Sequence, residues 1–358
     1  MDDDTMLAQW LLEHGGPAIR YRTATELVED PKAVDLERIV ADLAQSAMVQ
    51  QWMGHFAPLR AGDLFSLHGS NPDAFENVCA KLCELGVRAG MLAEVDAKMQ
   101  PFRQYLARGD DYWGRRLLAS CLNWAGYGGD EAVQACLSER LDTMAELARA
   151  GTYDIYIDHD TFGDCPAAFR KRPLINPEFN GKLPGIWDVY ALAHYPGALL
   201  DHKAQAQIDA VIAYVLHPDY QALNEGYGYM RSGPRRYYSM GWSVHLPAAE
   251  LPRDGLAFSR AIHAHMFVQR LELMAHFPPA RQSRWFKECM QHLEGFRTEQ
   301  GTYRFPARYL REQPSGYWVQ GAYMRLEENR RSRRSLELDS TFRMCKIKRL
   351  IEKNNRGA

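Results

Sequence analysis

The chain has 358 residues, of which 46% are hydrophobic and 25% charged, with a formal net charge of −2. This is ordinary globular composition, and the length suffices for a sizeable core. It excludes attraction to nucleic acid or acidic membranes by an overall field, and no apolar run approaches the roughly 18 residues of a spanning helix.

In chain order, MDDDTMLAQWLLEHGG is acidic and lacks a small-residue cleavage site, so it does not read as a secretory signal. Pro17 opens a helix in AIRYRTATELVED. DAFENVCAKLCELG gives a second helix, stopped by Gly86. YWGRRLLASCLNWAGYGG and DEAVQACLSERLDTMAELARAG form the clearest pair, each with apolar residues at i, i+3, i+4 and joined through a glycine-rich turn. Helices follow in LPGIWDVYALAHY, HKAQAQIDAVIAYVL, SRAIHAHMFVQRLELMAHF, SRWFKECMQHLEGF and RSRRSLELDSTFRMCKIKRLIEK. TYDIYID is a candidate extended piece, but no hairpin pattern accompanies it, so no convincing strand is predicted.

Glycines 151, 226 and 301 are evenly spaced, each after a helical segment and before an aromatic-rich stretch (LARAGTYDIYID, LNEGYGYMRSG, RTEQGTYRFPA). Glycine suits a reversal needing positive φ, and the rhythm indicates stacked helical hairpins. The expectation is one all-α domain over 1–358, with an irregular loop-rich segment about 151–190. The seven cysteines are odd in number and scattered; Cys79 and Cys83 read as buried small residues rather than a metal pair, and the set implies reduced thiols in a cytoplasmic protein.

Gly16, Pro17, Ile19, Arg20 and Tyr21 in GGPAIRYRTATELVEDP, the stretch EQGTYRFP (Glu299 to Pro306) and the ending STFRMCKIKRLI together resemble bacterial proteins of the prenyltransferase/squalene-cyclase repeat group. The resemblance implies an α/α toroid, with an open α-solenoid as the alternative, around a central cavity that holds isoprenoid chains in characterised members. The cyclases' Asp-x-Asp-Asp motif is absent, and the spacing of the prenyltransferases' Asp/Cys/His zinc site does not match Asp164-Cys165. Neither site is carried over. No metal or cofactor is assigned.

Two clusters can carry chemistry. Asp154, Asp158, Asp160 and Asp164 lie beside Tyr153, Tyr156 and His159. Clustered carboxylates raise one another's pKa, so Asp154, Asp158 or Asp160 is a candidate proton donor; the same cluster could hold a divalent cation through oxygen ligands, and the alternative to both is a solvated, helix-capping loop. GYGYMRSGPRRYYSMGWSVHLP, Gly226 to Pro247, brings together Tyr227, Arg231, Arg235, Arg236, Tyr237 and Trp242. Arginines beside aromatic faces suit a ligand with an anionic group and an apolar or aromatic body; a plain packed loop whose arginines pair with acids is the alternative. His245, beside Trp242, is a candidate proton donor or acceptor. Trp187 and Trp318 complete the expected wall, and Arg270 with Glu272 is a candidate buried charge pair. Arg330, Arg331, Arg333 and Arg334 form a basic start to the last helix. The first expectation is therefore a cavity that binds, and transforms by acid catalysis, a hydrophobic or aromatic, isoprenoid-like small molecule. The second is a non-enzymatic helical scaffold that binds nucleic acid or protein through arginine-rich surfaces.

Overall fold

The computed structural model describes residues 3–30, 34–56, 64–108, 112–248, 258 and 260–355. Its helices, in chain order, are α1 (Asp3–His14), α2 (Pro17–Arg22), α3 (Leu36–Ala44), α4 (Ala47–Gly54), α5 (Leu64–Leu67), α6 (Phe75–Leu85), α7 (Ala93–Arg108), α8 (Tyr112–Leu122), α9 (Glu131–Ala150), α10 (Ile186–Ala193), α11 (His202–Leu216), α12 (Pro218–Gln221), α13 (Ala261–Met274), α14 (Pro278–Gln282), α15 (Arg284–Glu294) and α16 (Ser335–Asn355). Pro17 sits in the first turn of α2, and Gly86, at φ +98°, ends α6. α2 and α8 each run on into one π-helical turn, Thr23–Leu27 and Asn123–Tyr127.

Helix packs on helix in chain order: α6 on α4 and α8, α8 on α9 and α10, α9 on α11. α1 packs on α16, which also touches α13, so the first and last helices meet. Gly151, Gly226 and Gly301 all adopt positive φ (+64°, +74° and +85°), as their shared position after a helical segment predicts.

The expectation of no strands is corrected. Between α9 and α13 lies a four-stranded sheet of β1 (Tyr156–Ile157), β2 (Leu174–Ile175), β3 (Gly228–Gly233) and β4 (Arg236–Met240). β1 and β2 are antiparallel, β2 and β3 parallel, and β3 and β4 form a hairpin with an irregularity between Arg231 and Gly233. Two-residue strands are too short to show alternation. The Gly-Pro-Arg turn hid the hairpin, because Arg235 closes it at φ +55°, where glycine or asparagine is usual.

The core is unusually charged. α6 buries Glu76, Asn77, Lys81 and Glu84; α13 buries His265, Gln269, Arg270 and Glu272; α16 buries Asp339 and Arg343. Buried charge is costly unless paired. Arg343 donates to Glu272 at 2.7 Å, to Glu84 and to the Met324 carbonyl. Lys346 lies 2.5 Å from Glu272, and Arg22 binds Glu26 at 2.6 Å and the Glu84 carbonyl at 2.9 Å. Burial opposes ionisation of Glu272, but Lys346, Arg343 and Arg22 override it and hold the carboxyl well below the ordinary range. The expected Arg270–Glu272 pair is not formed, because α16 and α2 supply Glu272 with nearer cations. All seven cysteines are free and buried. Among the described residues, no helix is long and apolar enough to cross a membrane.

Candidate functional site

A cavity of about 1080 Å³ opens where the β3–β4 hairpin and the segment after it meet α8, α10 and α13. Its wall includes Trp187, Trp242 and His245, three of the residues expected from sequence. It also includes His68, Arg116, Arg172, Asp188, Glu225, Tyr238, Ser243, Arg260 and Arg270.

The segment from Trp242 to Leu246 is strapped in place. Ile186 N, at the start of α10, donates to the Trp242 carbonyl at 2.7 Å. The Val244 amide donates to the Tyr220 hydroxyl at 3.0 Å, and the Leu246 amide to the Gln221 side chain at 2.9 Å. Trp242 is held at φ +72° and Tyr227 at φ +58°, a region that side chains other than glycine seldom occupy and that costs on the order of 1–3 kcal/mol.

The aromatic wall is built from buried partners. Trp187 Nε1 donates at 3.0 Å to Glu76, a fully buried carboxylate that also accepts from the Gly69 amide and lies 2.6 Å from His68 Nδ1. The His68 ring stacks on Tyr317, with Trp242 edge-on to both.

Four guanidiniums face two carboxylates across this cavity. Asp188 is bound by Arg116 at 2.7 Å and by Arg140 at 2.9 Å. Burial would raise its pKa, but those two cations hold it well below the usual range. Glu225 binds Arg260 and lies 3.4 Å from His263 Nε2. Arg172 spends its guanidinium on the carbonyls of Glu225 and Gly226 and on the Ser239 hydroxyl. Arg270 is 3% exposed. It donates to the Val319 carbonyl at 2.7 Å and to the Gln269 side-chain oxygen at 3.4 Å and also meets the Tyr190 hydroxyl, its Nε has no partner, and no carboxylate among the described residues lies within ion-pair reach of it. Burial pushes its pKa down.

His245 uses both ring nitrogens. Nε2 lies 2.8 Å from the Leu223 carbonyl and Nδ1 2.7 Å from the Ser243 hydroxyl, which in turn accepts from the Gly226 amide at 2.7 Å. Burial lowers the pKa of His245, which favours the neutral ring.

The other expected site residues serve the frame. Asp164 gathers Arg231 at 2.8 Å, the Tyr237 hydroxyl at 2.6 Å and the Arg235 amide at 3.0 Å. These bonds hold its carboxyl well below the ordinary range, and they tie Arg231 and Tyr237 to the segment between β1 and β2 rather than to the cavity wall. Arg236 is exposed at the hairpin tip. Tyr227 is buried, its hydroxyl donating to the Pro184 carbonyl at 2.6 Å, and Tyr156 bridges Asn224 to the Tyr227 carbonyl. Trp318 packs among Trp124, Trp187 and Tyr190 behind the wall. Asp158 caps a 3-10 turn, Asp160 pairs with Arg170 at 2.9 Å in the open, and Asp154 is exposed; none of the three lines the cavity. Ser243 carries a sequence signal in GWSVHLP, two residues before His245. Arg116, Arg172 and Arg260 come from three separate segments and carry no joint signature.

No protein-family model matches the chain, and neither a curated protein nor a solved structure does.

Proposed function

We propose that this protein binds a small organic anion with an aromatic or apolar body in the cavity beside the β3–β4 hairpin. The observation that carries the reading is Arg270. A guanidinium removed from water costs several kcal/mol unless it is compensated, and here the chain supplies neutral acceptors, the Val319 carbonyl at 2.7 Å, the Gln269 side-chain oxygen at 3.4 Å and the Tyr190 hydroxyl, and no carboxylate within ion-pair reach among the described residues. An oxyanion supplied by a ligand would compensate it, and the Trp187 and Trp242 indoles would cover the ligand's body. The helical hairpins are read as a ring, a reading supported by the contact of α1 with α16. In this reading the anionic group is met by Arg270, in place of the hairpin arginines. Of the arginines that the scaffold alternative invokes, Arg330 pairs with Glu312, while Arg235, Arg236, Arg331, Arg333 and Arg334 are exposed.

Thermal unfolding with phenyl phosphate, benzoate and phenol tests the proposal. The two anions should raise the melting temperature of the wild type more than phenol does. A Cβ at Gly241 meets nothing within 4 Å, so Gly241→Trp can grow into the cavity and should abolish the effect. Equal response to phenol and the anions would overturn the anion assignment, and no response to any of the three would overturn the cavity reading.

A further inference from the structure

The arrangement at Ser243 asks for more than binding. The Leu223 carbonyl can only accept, so the His245 nitrogen 2.8 Å from it, Nε2, carries the proton. In the neutral ring Nδ1 is then the bare nitrogen, and the Ser243 hydroxyl, 2.7 Å away, donates to it. A serine hydroxyl donating to an imidazole whose tautomer is fixed by a second acceptor is the arrangement that activates an oxygen nucleophile. Here a backbone carbonyl stands where a carboxylate more often does. The Gly226 amide donates to the same Ser243 oxygen at 2.7 Å, which favours an alkoxide. The Arg172 guanidinium is bonded to the carbonyls on either side of that amide, at 2.9 and 3.1 Å, and adds positive charge beside it.

The backbone around these groups is strained where they meet. Tyr227 follows Gly226 and Trp242 precedes Ser243, and both hold positive φ. Strain of this kind persists where the surrounding structure fixes it, and it concentrates at functional sites. Ser243, His245 and Gly226 all line the cavity, which is large enough for a small substrate.

We infer that Ser243 is a nucleophile activated by His245, and that the cavity is an acyl-transfer site for a carboxylic ester or thioester carrying an anionic group. The inference rests on the cavity reading above. Ser243 Oγ attacks the acyl carbon while its proton passes to His245 Nδ1. The C–O or C–S bond then breaks, and the leaving oxygen or sulfur takes that proton. Water attacks the resulting acyl-serine, gives its proton to His245, and the acid departs as Ser243 regains its hydrogen.

The test is covalent labelling with diisopropyl fluorophosphate, whose phosphorus forms a bond to a nucleophilic serine oxygen as fluoride leaves. Intact mass and peptide mapping read the product. The expected result is one adduct at Ser243 in the wild type, none in Ser243→Ala, and a rate lower by about 10²-fold or more in His245→Gln. An unlabelled wild type overturns the inference, as does equal labelling of His245→Gln. Gly241→Trp should block the reaction; if it labels like the wild type, Ser243 reacts outside the cavity and the acyl-transfer site is overturned. The two readings separate cleanly. An unreactive Ser243 in a protein that phenyl phosphate or benzoate still stabilises removes the nucleophile and leaves the binding cavity standing.

Discussion

Arg343 Nη1 donates to Glu272 Oε2 at 2.7 Å, and this buried bond joins the last helix, α16, to α13, the helix that carries Arg270 into the cavity wall. The same guanidinium reaches Glu84 of α6, so one side chain ties three helices. Arg343→Met leaves two buried carboxylates short of a cation. It should cost about 3–5 kcal/mol, read as a lower urea midpoint. Arg270→Met removes a cation with no carboxylate partner, so it should leave stability within about 1 kcal/mol of wild type while abolishing stabilisation by benzoate and phenyl phosphate. That contrast separates a charge kept for the fold from one kept for a ligand.

Acid should weaken the fold in two stages. Burial, with Lys346 nearby, lowers His276 to about 4, against an ordinary value near 6.5. The unfolded chain therefore binds a proton that the folded chain resists. Stability should fall as pH drops from about 6.5 to about 4, by on the order of 3 kcal/mol from this group. The half-buried ring of His194, 5.2 Å from His276, is shifted in the same direction. Burial opposes ionisation of Glu26, but Arg22 and Lys346 override it and hold it at about 2. Its contribution is present above pH 4.5 and is lost as pH falls toward 2. Urea midpoints from pH 7.5 to 4 should show the first stage, and His276→Gln should flatten it.

Gly151 and Gly226, both at positive φ, are not equivalent. A Cβ at Gly151 meets nothing within 4 Å, so Gly151→Ala should cost only about 1 kcal/mol, from its φ of +64°. At Gly226 a Cβ would lie 2.8 Å from Arg172 Nη2. Gly226→Ala should therefore displace Arg172 as well as strain the turn, and should slow labelling of Ser243. Parallel measurement of melting temperature and labelling rate distinguishes the two positions.

Asp164 holds the hairpin rather than a ligand. Asp164→Asn should speed amide exchange across residues 228–240, while Arg235→Ala and Arg236→Ala should leave benzoate binding unchanged. Loss of binding in either arginine variant would return the anion site to the hairpin tip.

The helices were legible because their apolar periodicity, Pro17 and Gly86 are local signals. The glycine rhythm at 151, 226 and 301 coincides with three positive-φ positions. The hairpin was not legible, since Pro234 and a positive-φ arginine at its turn are atypical and β1 and β2 are two residues each. Trp187, Trp242 and His245 were found in the wall because aromatic density is a local property. Sequence spacing suggests Glu272 as the partner of Arg270, and it does not reveal that α16 brings Arg343 and Lys346 to Glu272. The acidic loop misled because proximity in sequence placed its carboxylates together, while Asp158 and Asp160 are spent on a cap and on Arg170.

The most direct measurement is native mass spectrometry of the gently purified protein, beside its Gly241→Trp variant, with denaturing extraction of both. The account predicts a small-molecule mass that leaves the wild type on denaturation, carries a phosphate or carboxylate, and is missing from the variant. A bare wild-type mass, together with no stabilisation by benzoate or phenyl phosphate, would contradict it.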